Sequence, residues 1–168
     1  MNYGEYLKDP EIIFTKRSSL VSTHSGEVSF PGGKWEEGDV DLYDTSLRES
    51  YEEMNLDRAG VTKLGALSYL ISRHKIEVHP FVGTINSKQD LVANEVIFSV
   101  PLSYLMNIDN AEFHEMERKN QKIKIPSWVY NEHRIWGLTA MITADFLNIC
   151  FDAGIHSDLD IIRGQYDY

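Results

Sequence analysis

Thr45-Ser46-Leu47-Arg48-Glu49-Ser50-Tyr51-Glu52-Glu53 is the stretch on which the fold and chemistry of this chain turn. Glu49, Glu52 and Glu53 stand at i, i+3 and i+4, a spacing that puts three carboxylates on one side of a helix within a single turn. Leu47, Tyr51 and Met54 recur at intervals of four and three, which predicts a helix over residues 45–56 with those three on its buried face. Like charges so placed destabilise a helix by about 0.2–0.5 kcal/mol per pair, and Arg48, in reach of Glu52 at i+4, offsets only part of that. A cationic partner is therefore expected at this face. Oxygen ligands of this kind suit hard divalent ions, Mg2+ or Mn2+, which keep several waters and complete their shells with substrate phosphates.

Working outward, Phe30-Pro31-Gly32-Gly33-Lys34 precedes the helix by one acidic loop. Paired glycines leave backbone N–H groups unobstructed and admit a close approach by a phosphate or by the helix itself. The strand, glycine turn, acidic loop and carboxylate helix together suggest a site for phosphate and metal, helped by the preference of helix N-termini for anions. Strands are predicted over 11–15 and 27–30 upstream of the helix, and over 63–71, 77–85 and 96–100 downstream, with Pro101 closing the last. Residues 107–124 are polar enough to be an exposed excursion between elements. A second helix is predicted over 133–151, because Ile135, Leu138, Ile142, Phe146 and Ile149 repeat at three and four and Gly154 lies just beyond as a stop. Cys150 and Trp136 are expected in the core as parts of that helix. Helices on both sides of a run of strands give an α/β (α+β) class, a mixed β-sheet packed between helices.

At 168 residues the chain has the length of one ordinary domain, so residues 1–168 are taken as a single unit. A formal charge of −10 without a basic stripe excludes broad nucleic-acid binding, which needs clustered Lys and Arg. The same charge repels phosphorylated small molecules unless metal ions reverse the local field. No uncharged run is long enough for a bilayer span, the N-terminal MNYGEYLKDP lacks the character of a targeting segment, and a cytoplasmic location is expected. The lone Cys150 has no partner for an intrachain disulfide, and the spacing of His24 and His79 fits no zinc pattern.

The chain resembles the Nudix hydrolases, whose signature runs glycine, five residues, an acid, then Arg-Glu, two residues, Glu-Glu, one residue, glycine and an aliphatic residue. Gly33, Asp39, Arg48, Glu49, Glu52, Glu53 and Leu56 follow that order. Eight residues separate Asp39 from Arg48 where the general signature has seven, and Asn55 stands at the glycine position, a residue type that also tolerates a left-handed backbone. The longer gap is similar to that of the subgroup that cleaves coenzyme A, as are Thr15-Lys16-Arg17-Ser18, His24 and Gly26-Glu27-Val28-Ser29-Phe30-Pro31-Gly32-Gly33-Lys34. The likeness continues through His79-Pro80-Phe81-Val82-Gly83, Asn94-Glu95-Val96, Val100-Pro101-Leu102-Ser103-Tyr104-Leu105 and Ile135-Trp136-Gly137-Leu138-Thr139-Ala140. Ser22 stands where that subgroup usually has arginine.

What the resemblance implies is an α/β/α sandwich that hydrolyses the diphosphate of coenzyme A or an acyl derivative to 3′,5′-ADP and a phosphopantetheine, as a monomer or homodimer. Glu49, Glu52 and Glu53 would hold Mg2+ or Mn2+, Arg48 would orient them, and Glu95 or a helix glutamate would take the proton of the attacking water. Arg17, Gly32, Gly33 and Lys34 would meet the substrate. Two other functions share these ligands: a diphosphatase for ADP-ribose or a dinucleotide, and a binding module that keeps the fold without turnover.

Overall fold

The structure is a computed structural model and describes residues 9–16, 26–85, 89–92, 96–118 and 120–163. Arg17, Ser22, His24 and Glu95 lie outside the described residues. Strand β1 (Glu11–Lys16) is the centre of a three-stranded antiparallel sheet, flanked by β2 (Val28–Ser29) and β7 (Val96–Pro101). Its pairing with β7 runs in register from Glu11↔Pro101 to Lys16↔Val96, while Thr15 faces Ser29 on the other side. The strands predicted over 11–15 and 96–100 are thus realised as two long partners. Phe14 is fully buried and its ring stacks between those of Phe30 and Phe98, at 5.0 and 5.6 Å. Stacked aromatics of this kind contribute about 0.5–1.5 kcal/mol beyond their buried area. They also fix the exit of β2, which leads directly into Pro31-Gly32-Gly33.

Helix α1 (Leu42–Met54) begins three residues earlier than the apolar spacing predicts. Asp41 is the reason: its carboxylate accepts from the Asp44 N–H at 2.8 Å, and Asp44 accepts in turn from Val40 N–H at 3.0 Å. The first satisfies an N–H that a helix start leaves without a carbonyl partner, and the second ties the residue before the cap to the first turn. The far end closes on Asn55 at φ 56°, ψ 34°, whose N–H reaches the Ser50 and Tyr51 carbonyls. Asn55 therefore does what the signature glycine does. Asn55→Gly should leave the urea midpoint nearly unchanged, whereas Asn55→Val should lower stability by about 1–2 kcal/mol, since a branched side chain in left-handed backbone clashes with the next carbonyl.

Of the predicted face Met54 is buried as expected, but Tyr51 is 60% exposed; α1 also buries Thr45 and Ser50, so its inner side is rotated toward small polar residues. Its end is strapped from outside. The Gln89 side-chain amide bonds both the N–H (2.6 Å) and the carbonyl (3.2 Å) of Asp57, and Val92 N–H donates to the Met54 carbonyl at 3.2 Å.

The strand predicted over 63–71 divides into β3 (Val61–Ala66) and β4 (Leu70–Ile71), and that over 77–85 into β5 (Glu77–Val78) and β6 (Phe81–Ile85). Strands β3 and β6 pair with each other, as do β4 and β5, each antiparallel. Pro80, which has no N–H to donate, stands at the break between β5 and β6. Helix α2 (Leu102–Met106) follows β7 directly.

Residues 107–124 are no loose excursion. They carry all of β8 (Ala111–Arg118) and the start of β9 (Gln121–Tyr130), an antiparallel hairpin whose register runs from Ala111↔Trp128 to Arg118↔Gln121. Strand β10 (His133–Ile135) then adds to β9 across the turn at Asn131, where φ is 53°. So the second long helix, α3 (Gly137–Phe151), starts later than predicted, and the buried Ile135 belongs to a strand. Trp136, the residue before α3, is exposed rather than in the core, and so are Ile149 and Cys150 in its last turn. Helix α3 packs on β9 and buries Ala140, Ala144 and Leu147 against Trp128 and Ile135. Thr139 donates from α3 to the Val28 carbonyl at 3.0 Å, tying the helix to β2. A second cluster joins Met141 and Ile142 to Leu70, Ile123, Ile125 and to Leu159 of the short α4 (Leu159–Ile162).

The class is α/β as expected, and all strand pairings among the described residues are antiparallel. No helix among the described residues is long and apolar enough to cross a membrane.

Candidate active site

The glycine turn and α1 meet through two glutamates. Gly32 N–H donates to Glu53 Oε2 at 3.3 Å. One residue on, Gly33 lies so close to Glu49 that a Cβ there would stand 2.1 Å from Oε1 and 2.4 Å from Cδ. Only a residue without a side chain leaves that carboxylate room. Glu49 and Glu53 are i, i+4 neighbours, so the turn receives both from one face of the helix.

Arg48 organises the other side. Its Nε and Nη2 grip the two Asp39 carboxylate oxygens at 2.9 and 3.1 Å, a bidentate pair, and Nη2 also donates to the Lys34 carbonyl at 3.0 Å. The remaining Nη1 donates to Glu49 at 3.1 Å and Glu52 at 3.4 Å. Glu49 is 17% exposed and Glu52 58%, so Glu49 is held inward and Glu52 faces solvent. The three carboxylates that the helical spacing aligns are thus engaged by different groups: Gly32 N–H for Glu53, Arg48 for Glu49 and Glu52. Among the described residues no three His, Cys, Asp or Glu side chains stand grouped as a bound cation would hold them.

Asp39, absent from the residues to which a role was assigned on sequence, turns out to anchor the whole arrangement. Besides Arg48 it accepts from Thr45 Oγ1 at 2.8 Å and from Glu36 N–H at 3.0 Å, and its side chain is only 5% exposed. Its place in the signature order is the signal that marks it. The guanidinium beside it, chiefly, holds the Asp39 carboxyl well below the usual carboxylate range, and Asp39 in turn raises Arg48 above the ordinary arginine value.

A depressed carboxylate adds stability above its unfolded value, near pH 4, and that contribution is lost as pH falls through the folded value. Asp39→Asn should therefore lower the urea midpoint at pH 7, and the gap from the natural protein should narrow as the pH is taken from about 5 toward 2. A gap constant across that range would mean that Asp39 acts through shape alone.

Lys34 contributes a backbone carbonyl to Arg48, and its side chain is exposed beside the turn. His79 is exposed and pairs with Glu77 at 3.1 Å, away from any ligand set.

The ordering of glycine turn, acid, Arg-Glu and paired glutamates is therefore a spatial unit, and residues 5–123 match the NUDIX domain. This chain belongs to the Nudix hydrolase family. It is 36% identical over 154 residues to an Arabidopsis thaliana protein named Nudix hydrolase 15, mitochondrial, covering 86% of this chain and 54% of that one. It is 35% identical over 137 residues to an uncharacterized Nudix hydrolase NudL of Photorhabdus laumondii, covering 79% of this chain and 73% of the relative. The mouse protein named mitochondrial coenzyme A diphosphatase NUDT8 is 33% identical over 142 residues, covering 80% of this chain and 68% of its own length. The chain thus spans about half of the plant Nudix protein and somewhat over two-thirds of the other two.

Nudix hydrolases generally need divalent metal ions, and the donor chemistry here suits one although the three glutamates are not gathered around a common point. All the donors are carboxylate oxygens, the type that hard divalent cations select, and the missing Cβ at Gly33 keeps the Glu49 carboxylate at the turn.

Proposed function

We propose that this Nudix protein hydrolyses the diphosphate bond of coenzyme A or its acyl derivatives, with Mg2+ or Mn2+, to 3′,5′-ADP and (acyl-)4′-phosphopantetheine. The observation that carries the hydrolytic part is the meeting of Glu49 and Glu53 with Gly33 and Gly32. The coenzyme A part is supported by the likeness to the mouse and human proteins named coenzyme A diphosphatases, 33% and 34% identical.

In this mechanism Glu49, Glu52 and Glu53 would hold the cation. When bound it neutralises the diphosphate and lowers the pKa of a water for attack at phosphorus. Arg48 keeps Glu49 and Glu52 in place, and Asp39, itself braced by Thr45 and Glu36, keeps Arg48 in place. Gly32 and Gly33 let the chain approach the helix closely, and Lys34 adds a positive charge at the mouth of an otherwise acidic region. From the sequence, Arg17 contacts a substrate phosphate and Glu95 or a helix glutamate takes the proton of the attacking water.

The test is incubation with Mg2+ or Mn2+ and a panel of coenzyme A, acyl-coenzyme A, ADP-ribose and dinucleotides, with products identified by mass. Release of 3′,5′-ADP from coenzyme A is the expected result. Cleavage of ADP-ribose alone would overturn the substrate, and no cleavage of any diphosphate would overturn the enzyme.

A further inference from the structure

Trp35 sits between the glycine turn and α1, and its indole is 55% exposed. Exposure of a tryptophan is often explained by its N–H seeking water. Here Nε1–H already donates to the Asp39 carbonyl at 3.1 Å, so the polar atom of the indole is satisfied within the protein and the exposed remainder of the ring is carbon. An aromatic ring kept largely in water, with its polar atom satisfied by the protein, gains from a flat apolar partner laid against it.

The ring is also held at a defined place. Arg48 Nη2 bonds the Lys34 carbonyl on one side of Trp35 and the Asp39 carboxylate on the other. The intervening turn is closed by Asp39 N–H to Glu36 O at 3.1 Å and by Glu36 N–H to Asp39 Oδ2 at 3.0 Å. The guanidinium that holds Glu49 and Glu52 therefore braces the loop that carries Trp35, two residues on from Gly33.

We propose that Trp35 is a stacking platform for the planar base of a nucleoside diphosphate whose phosphates lie at the glycine turn. This rests on the diphosphatase activity proposed above. A base offers a π-face to an indole, and stacking tolerates different bases because each has one. A flexible acyl or pantetheine arm has no such face. Contact to a part of the substrate that does not react binds ground and transition states alike and appears in KM rather than kcat.

The binding test uses AMP, which carries base and phosphate but no scissile diphosphate. In Trp136→Phe protein, which removes the other exposed indole, AMP should quench tryptophan fluorescence. Inorganic pyrophosphate should not, and the added change Trp35→Phe should abolish the AMP signal. Absence of quenching by AMP, or equal quenching by pyrophosphate, overturns the proposal whether or not any diphosphate is turned over.

The kinetic test uses coenzyme A. Trp35→Ala should raise KM roughly tenfold, the range of one lost stacking contact, with kcat little changed, and Trp35→Phe should recover most of the loss. Were Trp35 merely a support for the loop, loss of its bond to Asp39 would disturb Arg48. kcat would then fall in both variants, and phenylalanine, which lacks the N–H, would not rescue. That pattern overturns the proposal too.

Discussion

Glu53→Gln should lower kcat/KM by roughly a thousandfold while leaving the thermal midpoint nearly where it was. Replacing a partner that only orients a metal ligand costs about ten- to a hundredfold, so loss of a ligand should cost more. The substitution separates two roles of Glu53 cleanly. Its Oε2 accepts from Gly32 N–H, and a glutamine keeps an acceptor oxygen of the same reach. What disappears is the charge that a divalent cation needs. Turnover within about threefold of the natural protein would remove Glu53 from the ligand set. A large drop in thermal midpoint would instead assign it to the fold.

Gly33→Ala should be nearly as damaging, roughly a hundredfold in kcat/KM, for a purely spatial reason. The added methyl would stand 2.1 Å from Glu49 Oε1 and 2.7 Å from Oε2, so the carboxylate must leave its position. A side-chain end can do this without disturbing the backbone, so the stability change should stay within about 0.5 kcal/mol. Glu49 would then lose both the turn and its 3.1 Å bond from Arg48. In a Glu49→Gln background the same alanine should add little further loss, because both changes strike one group. Full additivity of the two losses would show that Gly33 acts on something other than Glu49.

These expectations rest on a part of the molecule that local spacing made legible. Helix periodicity needs only neighbours in sequence, so it places Glu49, Glu52 and Glu53 on one turn without any tertiary knowledge, but it runs the helix through Asn55 to 56, and only the glycine position of the signature marks the left-handed stop there. What spacing does not carry is partner choice. That Arg48 would hold Asp39, nine positions back, depends on how the loop folds, and only the signature order marked the acid. Tyr51 was misplaced because periodicity reports apolarity, whereas the inner side of α1 is filled by Thr45 and Ser50.

The β8–β9 hairpin was hidden for a different reason. Glu112, Glu115, Glu117, Lys122 and Lys124 make residues 107–124 read as polar, yet Ile123, Ile125 and Ser127 alternate inward beneath them. Pro126, which has no N–H to give a ladder bond, stands within β9. It is tolerated because the β10 pairs reach only residues 128–130 of β9, leaving one neighbour at position 126. In the run ending at Phe151, the buried Ile135 keeps helical phase with Leu138, and so a strand and a helix merge into one pattern.

Helix α1 differs from α3 in how it is retained. α3 buries seven residues in its middle, but α1 is anchored at its extremities, by Asp41 and Asp44 at one end and by Asn55, Gln89 and Val92 at the other. An element secured in that way opens as a local unit, at a free energy below that of global unfolding, because few apolar contacts must be surrendered. Opening of α1 is thus expected to disperse Glu49, Glu52 and Glu53 while the core persists. Whatever binds only the closed helix raises that opening free energy by mass action, and amide exchange would record the protection in residues 41–57 and 89–92 while β9 and α3 stay as they were.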